Sequence, residues 1–321
     1  MRKKTLMFAV KAALTAALIG WLVSRIDVSA TWQRVAGVSG GMLLAATGLL
    51  LAQGVLGAVR WMVVQRALGP TLPFRRVLAI YFTGLFFNQV LPSSVGGDPV
   101  RMYLTHRGGL PLARAVNGVM LERVATVAAL VFMVALLQPL ILDRIGGGLK
   151  AWVFPLLSLT AVGGIGVVCL LDRLPERLGK WRAVRALAYL ATDTRRVFLS
   201  PPRALAVLGI AAVGHANLSM AVWVMAQGMD VGLTVTDCLV LVPPVILATT
   251  LPISIAGWGV REGAMVAALS TVGVAPEASV ALSVLLGLLA IVTSLPGGLV
   301  WVLGGGVKPA EVEAAMTGDD P

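Results

Sequence analysis

Leu91-Pro92-Ser93-Ser94-Val95-Gly96-Gly97-Asp98-Pro99-Val100-Arg101 returns later in the chain as Leu251-Pro252-Ile253-Ser254-Ile255-Ala256-Gly257-Trp258-Gly259-Val260-Arg261, with Leu, Pro, Ser, Gly, Val and Arg kept in register. Each copy follows a strongly apolar run and ends it with helix breakers and a cation. Such a pair reads as an internal duplication, and in a membrane chain matched breaks in apolar segments point to a binding site.

The membrane itself is read from composition. Of 321 residues, 58% are hydrophobic and 13% charged, outside the range of soluble domains. The runs 6–23, 41–59, 115–142, 152–171, 204–226 and 278–303 lack the polar stripe of a soluble helix. Each is long enough to cross about 30 Å of hydrocarbon at about 1.5 Å per residue. They are continuous, not alternating, and rich in Ala, Leu and Gly, which argues against strands. The expected class is an all-α integral membrane protein. The basic start Arg2-Lys3-Lys4 resembles a secretory signal, but its apolar run has no small-residue cleavage site, so it reads as a retained first helix. Cys169 and Cys238 both sit in apolar segments and read as small hydrophobes.

The net charge of +11 is informative through its placement. Basic loops stay cytoplasmic. The N-terminus, the region of Arg66, Arg75 and Arg76, and the segment 172–202 with Arg173, Arg177, Lys180, Arg182, Arg185, Arg195 and Arg196 should all lie on that side. Two full helices between Arg76 and Asp172 then leave 77–104 without a net crossing, so a re-entrant hairpin is expected there, its tip buried in protein or lining a cavity. The second half repeats the arithmetic with a hairpin at 236–263. The organisation expected is two inverted-topology repeats, 1–150 and 151–306, each helix, helix, re-entrant hairpin, helix. That makes about six full spans plus two hairpins, followed by a cytoplasmic tail at 307–321. The insert 172–202 breaks the symmetry and reads either as a topology-setting loop or as an amphipathic helix on anionic lipid.

Charge inside a membrane costs roughly 2.5 to 3.5 kcal/mol per central group on insertion scales, so such residues pair or face water. Asp98, Arg101, Glu122, Arg123, Arg261 and Glu262 are the ones beside or within the repeat cores. Structural pairing, Asp98 with Arg101 or Arg123 and Glu262 with Arg261, is one reading, and a pair across the cavity, Glu122 with Arg101 or Arg123 with Asp98, would open when substrate or a proton arrives. The other has Arg101 and Arg261 offering guanidinium forks to a phosphate or similar anionic headgroup. Ser94 and Ser254 follow the prolines and can satisfy freed backbone or touch a ligand, as can Asn88. Gly97 and Gly257 permit close backbone approach at the tips, where an anion-accepting nest is an alternative to a plain tight turn. Trp258 replaces Asp98 in the second copy. Arg60-Trp61 reads as an interfacial anchor with a snorkelling arginine, and His215 as a helix-packing residue. No metal-ligand cluster, nucleotide loop or catalytic triad appears, so neither metal nor cofactor is expected, and no nucleic acid either.

The run Phe87-Asn88-Gln89-Val90-Leu91-Pro92 to Gly96-Gly97-Asp98 and Arg101, then Glu122-Arg123, then Pro252-Ile253-Ser254 to Gly257-Trp258-Gly259-Val260-Arg261-Glu262-Gly263, resembles the flippase-like domain family, the lysylphosphatidylglycerol synthase transmembrane region, over about 4–306. The resemblance implies a lipid translocator of the cytoplasmic membrane, both termini inside. Its partners would be a membrane phospholipid, aminoacylated or not, or a polyprenyl or isoprenoid lipid. The tail is too short for the soluble synthase domain that some relatives carry. An intramembrane enzyme with Asp98 or Glu122 as general base, or a non-catalytic subunit beside a lipid-synthesising enzyme, are the alternatives. Homo-oligomerisation stays open.

Overall fold

The computed structural model of the protein describes residues 17, 19–20, 24, 27–91, 96–145, 152–170, 182–250 and 254–304. The first expected span, 6–23, falls almost wholly outside these residues. Ser94 and the tail 307–321 lie outside them too. All regular structure among the described residues is helical. The helices are α1 (Val28–Ala36), α2 (Gly40–Leu68), α3 (Phe74–Val90), α4 (Gly97–Arg107), α5 (Leu112–Leu137), α6 (Val153–Cys169), α7 (Arg182–Phe198), α8 (Pro201–Gly228), α9 (Val235–Thr250), α10 (Val260–Ser270) and α11 (Pro276–Leu303). Short turns at Gln138–Ile141 and Leu142–Ile145 extend α5.

The boundaries follow local chemistry. Ser39 accepts from the Met42 amide at 3.4 Å to open α2, and Gly69 at a positive φ closes it ahead of Pro70. α8 and α11 begin on Pro201 and Pro276, residues whose fixed φ suits a first turn. At α9 the Thr234 amide and hydroxyl donate to Asp237 at 2.9 and 2.7 Å, while the Asp237 amide donates back to Thr234 at 3.1 Å. That reciprocal cap holds the fully buried Asp237 carboxylate.

Among the described residues, four helices are long and apolar enough to cross a membrane: α2, α5 with its extension, α8 and α11. They match the expected runs 41–59, 115–142, 204–226 and 278–303. The run at 152–171 instead yields α6 of 17 residues, about 25 Å long. At its end Arg195 Nη1 donates to the Cys169 carbonyl at 2.8 Å. Cys169 and Cys238 are both buried.

Between the long helices sit two shorter helical pairs. α4 runs back antiparallel along α3, since Gly97 packs on Gly84 and Asn88 at one end and Gly108 meets Leu72 at the other. A Cβ on Gly97 would collide with the Gly84 carbonyl, so the two backbones cross in direct contact. α9 packs against α10 through a tight turn at Ile255–Gly257. Across the molecule α2 packs on α8, α3 on α11, and α9 on α5. The largest apolar core gathers Val134, Val222, Met225, Val242, Met265 and Leu282 from α5, α8, α9, α10 and α11.

α7 docks on the body through its C-terminal half. Ala191, Thr194 and Val197 are buried against the body, Val197 in a cluster with Val64, Leu121 and Val207. Asn117 of α5 donates to Asp193 at 2.7 Å and ties the insert down.

Candidate functional site

α2, α4 and α5 bring five charged side chains into one network, four of them buried and Arg123 part-exposed. Glu122, 1% exposed, takes Arg60 on Oε1, with Nε at 2.8 Å and a closer contact from Nη2, and takes Arg101 Nη1 and Nη2 on Oε2 at 3.2 and 3.3 Å. Asp98 accepts from Arg123 Nε at 2.8 Å and Nη2 at 3.0 Å, and from Arg101 Nη1 at 3.4 Å. Both pairings expected from the sequence, Glu122 with Arg101 and Asp98 with Arg123, are thus present together. Arg101 also lies over Trp61 and Tyr81, its Cζ 4.3 and 4.6 Å from the ring centroids. A guanidinium between two aromatic faces retains attraction that its lost water would otherwise supply.

Arg60 corrects the sequence reading. It is 5% exposed and bonded to Glu122, and Trp61 beside it is wholly buried beneath Arg101. Neither is an interfacial anchor. α2 continues through Leu68, so Arg60 stands about two turns inside the helix, not at its end.

The second copy of the motif is arranged differently. Arg261 Nη2 and Nε donate to Glu262 Oε1 at 2.8 and 3.2 Å, and Nε also reaches Ser283 at 3.0 Å. The Ser283 hydroxyl donates to the same Glu262 oxygen at 3.0 Å, and the Gly259 amide donates to Oε2 at 2.6 Å. Trp258 carries Arg261 on its face at 4.6 Å. Gly257 and Gly259 take φ values of 81° and 84°, and Ala256 joins them at 50°. The turn needs these positive φ values on either side of Trp258, which explains two of its glycines without a ligand. The amides nearest a nest are also committed to protein acceptors, Gly97 to Asn88 Oδ1 at 2.7 Å and Gly259 to Glu262. Ser254 is 1% exposed and its hydroxyl bonds to no described residue.

The ends of both helical pairs open on one cavity of about 310 Å³. Asn88 and Gln89 line it from the first pair, Thr249 and Ala256 from the second. Its cationic wall is Arg60, Arg123 and Arg261, joined by His215, which the sequence reading left aside. His215 Nε2 lies 2.9 Å from the Thr126 carbonyl. Arg261 therefore reaches the cavity, whereas Arg101, its partner in the repeat, stands behind the wall and braces Glu122 and Asp98. Each cation on the wall has a carboxylate at its back, so the surface offers oriented donors on fixed supports. Such a wall can hold a phosphate or another oxyanion in reach of several guanidinium N–H groups.

Residues 8–297 match the family described as the Lysylphosphatidylglycerol synthase TM region. The chain belongs to that family. Among curated proteins it has no match. Membership, with the four long apolar helices, makes this a multi-pass membrane protein of a family associated with lipid handling.

Proposed function

We propose that the protein is a lipid translocator of the cytoplasmic membrane, in which the central cavity receives an anionic headgroup while the acyl chains remain in lipid. The observation that carries this reading is the cavity wall itself: Arg60 and Arg123 from one half and Arg261 from the other converge on a single space between the ends of the two helical pairs. Residues of both halves lining one site are what alternating exposure to two leaflets requires.

The architecture proposed with it is a pair of inverted repeats. α2, α3, α4 and α5 correspond to α8, α9, α10 and α11, and the packing respects that exchange. α2 meets α8, its own counterpart, and the contact of α3 with α11 is mirrored by that of α9 with α5. The two helical pairs are then re-entrant hairpins entering from opposite faces, with six spans counted from the N-terminal run and α6, and both termini cytoplasmic.

Transport is favoured over group transfer by the state of the carboxylates. Asp98 and Glu122 each accept from two arginines, so neither is free to take a proton from a substrate. The test is reconstitution of the purified chain into vesicles carrying a fluorescent anionic phospholipid in both leaflets, with the outer label bleached chemically. The wild-type chain should expose the inner label. Arg123→Gln and Arg261→Gln, both on the cavity wall, each cost a carboxylate its ion-pair partner and should lower the melting temperature, and the folded fraction should move lipid at least tenfold more slowly. Folded variants that move lipid at the wild-type rate would overturn the proposal, as would a change in lipid mass after incubation.

A further inference from the structure

A second cavity of about 440 Å³ lies on the same seam between α3 and α11, beyond the first. Along α11, Ser294 lines the central cavity and Trp301 the second, a separation of about 10 Å. Between them the seam is shut by backbone, because a Cβ on Gly297 would collide with the Phe82 carbonyl. Thr83 spans this closure, its hydroxyl 3.4 Å from the Gly297 carbonyl.

The chemistry of the second cavity differs from that of the first. Arg76 from α3 and Arg107 from α4 line it, both exposed, and no ion pair with any described residue engages either. No carboxylate lines it among the described residues. In the central cavity every arginine on the wall is already paired; here two guanidiniums face one space uncompensated. The indole N–H of Trp301, another lining residue, has no hydrogen-bond partner among the described residues. Ile80, Leu104 and Val300 supply apolar wall. Two free guanidinium forks suit the oxygens of a phosphate. Basic pockets between helices at a membrane's cytoplasmic side are suited to lipid headgroups, and the apolar wall selects a phosphate that arrives attached to a lipid.

We infer that this cavity is a separate binding site for the phosphate group of an anionic membrane lipid, held between Arg76 and Arg107, from which the headgroup is handed past Gly297 to the central cavity. The hand-over rests on the translocation reading; the binding does not.

The full chain in detergent is titrated with short-chain phosphatidylglycerol, short-chain phosphatidylcholine and inorganic phosphate, and bound lipid is counted by native mass spectrometry. Phosphatidylglycerol should occupy two sites. Arg76→Gln and Arg107→Gln, both at exposed positions, should each weaken one of them about tenfold, as loss of a charge-assisted hydrogen bond does. The double variant should keep a single bound lipid, and Trp301→Phe should weaken the same site by a smaller factor. Two phosphatidylglycerols retained by the double variant would overturn the site, as would equal binding of phosphatidylcholine. Displacement by equimolar inorganic phosphate would make it a site for a soluble anion and overturn the lipid assignment. In vesicles the double variant should slow lipid movement; an unchanged rate with the second lipid lost would sink the hand-over alone. A wild-type chain that binds two lipids and moves none would sink the translocation reading and the hand-over but leave the site standing.

Discussion

Arg101 and Arg261 occupy the same position of the repeated motif, yet one is enclosed and the other faces a cavity. Around Arg101 the first half spends two carboxylates, Asp98 and Glu122, on three arginines from three helices. Around Arg261 the second half uses one neighbouring glutamate, a serine and a backbone amide. The first arrangement is a brace, since any member removed leaves charge stranded among α2, α4 and α5. The second is a local clasp, complete within α10, its own cap and one contact from α11. One motif has thus diverged into a part that holds the fold and a part that presents a cation.

Neutralising the two glutamates should separate these roles most sharply. Glu122→Gln leaves Arg60 buried with no acceptor of full charge and Arg101 with only its 3.4 Å contact to Asp98, and breaking a buried pair in this way costs about 3–5 kcal/mol. Glu262→Gln strips Arg261 of its ion pair, but Arg261 lines the cavity and keeps Ser283 and the Trp258 face, so a loss of about 1–2 kcal/mol is expected. Melting of both variants in one detergent checks the order. Equal losses would mean that the brace and the clasp are energetically alike, and the division of labour would fall.

The two glycines at matched positions, Gly97 and Gly257, sharpen the contrast on the backbone. A methyl at Gly97 must push α3 and α4 apart against the Gly84 carbonyl, an overpacking cost of about 1–3 kcal/mol. A methyl at Gly257 meets Thr249 Cβ at 3.3 Å and a φ of 81°, for about 1–2 kcal/mol. Gly97→Ala should therefore melt lower than Gly257→Ala. It should also disturb lipid binding in the central cavity, because the Asn88 side chain that lines it is bonded to the Gly97 amide.

What the sequence disclosed and what it hid divide along the same line. The duplication, the four long helices and the two broken segments are patterns of apolar runs and breakers, which act locally and leave a trace in order. The brace is made of long-range pairs, and only part of it could be read. Asp98, Arg101, Glu122 and Arg123 stood out as charges in apolar surroundings, but Arg60 beside Trp61 looked like a membrane anchor. The stop at Gly69-Pro70 was the available signal, since it puts Arg60 well inside α2. His215 and the docking of α7 depend on which helix lies opposite, and a single sequence holds no record of that. Arg101 was expected to share the cavity with Arg261 because symmetry of motif was taken for symmetry of exposure. Glu122 from α5, Asp98 from α4 and the Trp61 and Tyr81 rings together turn Arg101 inward.

The smallest expected effect tests whether the clasp is as local as it looks. Ser283 accepts from Arg261 Nε and donates to Glu262, so it closes a three-membered ring of side chains without carrying charge. Ser283→Ala should cost about 1 kcal/mol, the value of a typical net hydrogen bond, because Arg261 and Glu262 keep their direct contact at 2.8 Å. The sharper readout is geometric. Without the serine, the guanidinium, which packs on Gly287 of α11, is held by Glu262 and Trp258 alone and is freer to move toward the cavity it lines. Binding of an anionic lipid in the central cavity should then change by a few-fold while the melting profile barely moves. A loss of stability as large as that of Glu122→Gln would show that the second motif, too, is part of the frame.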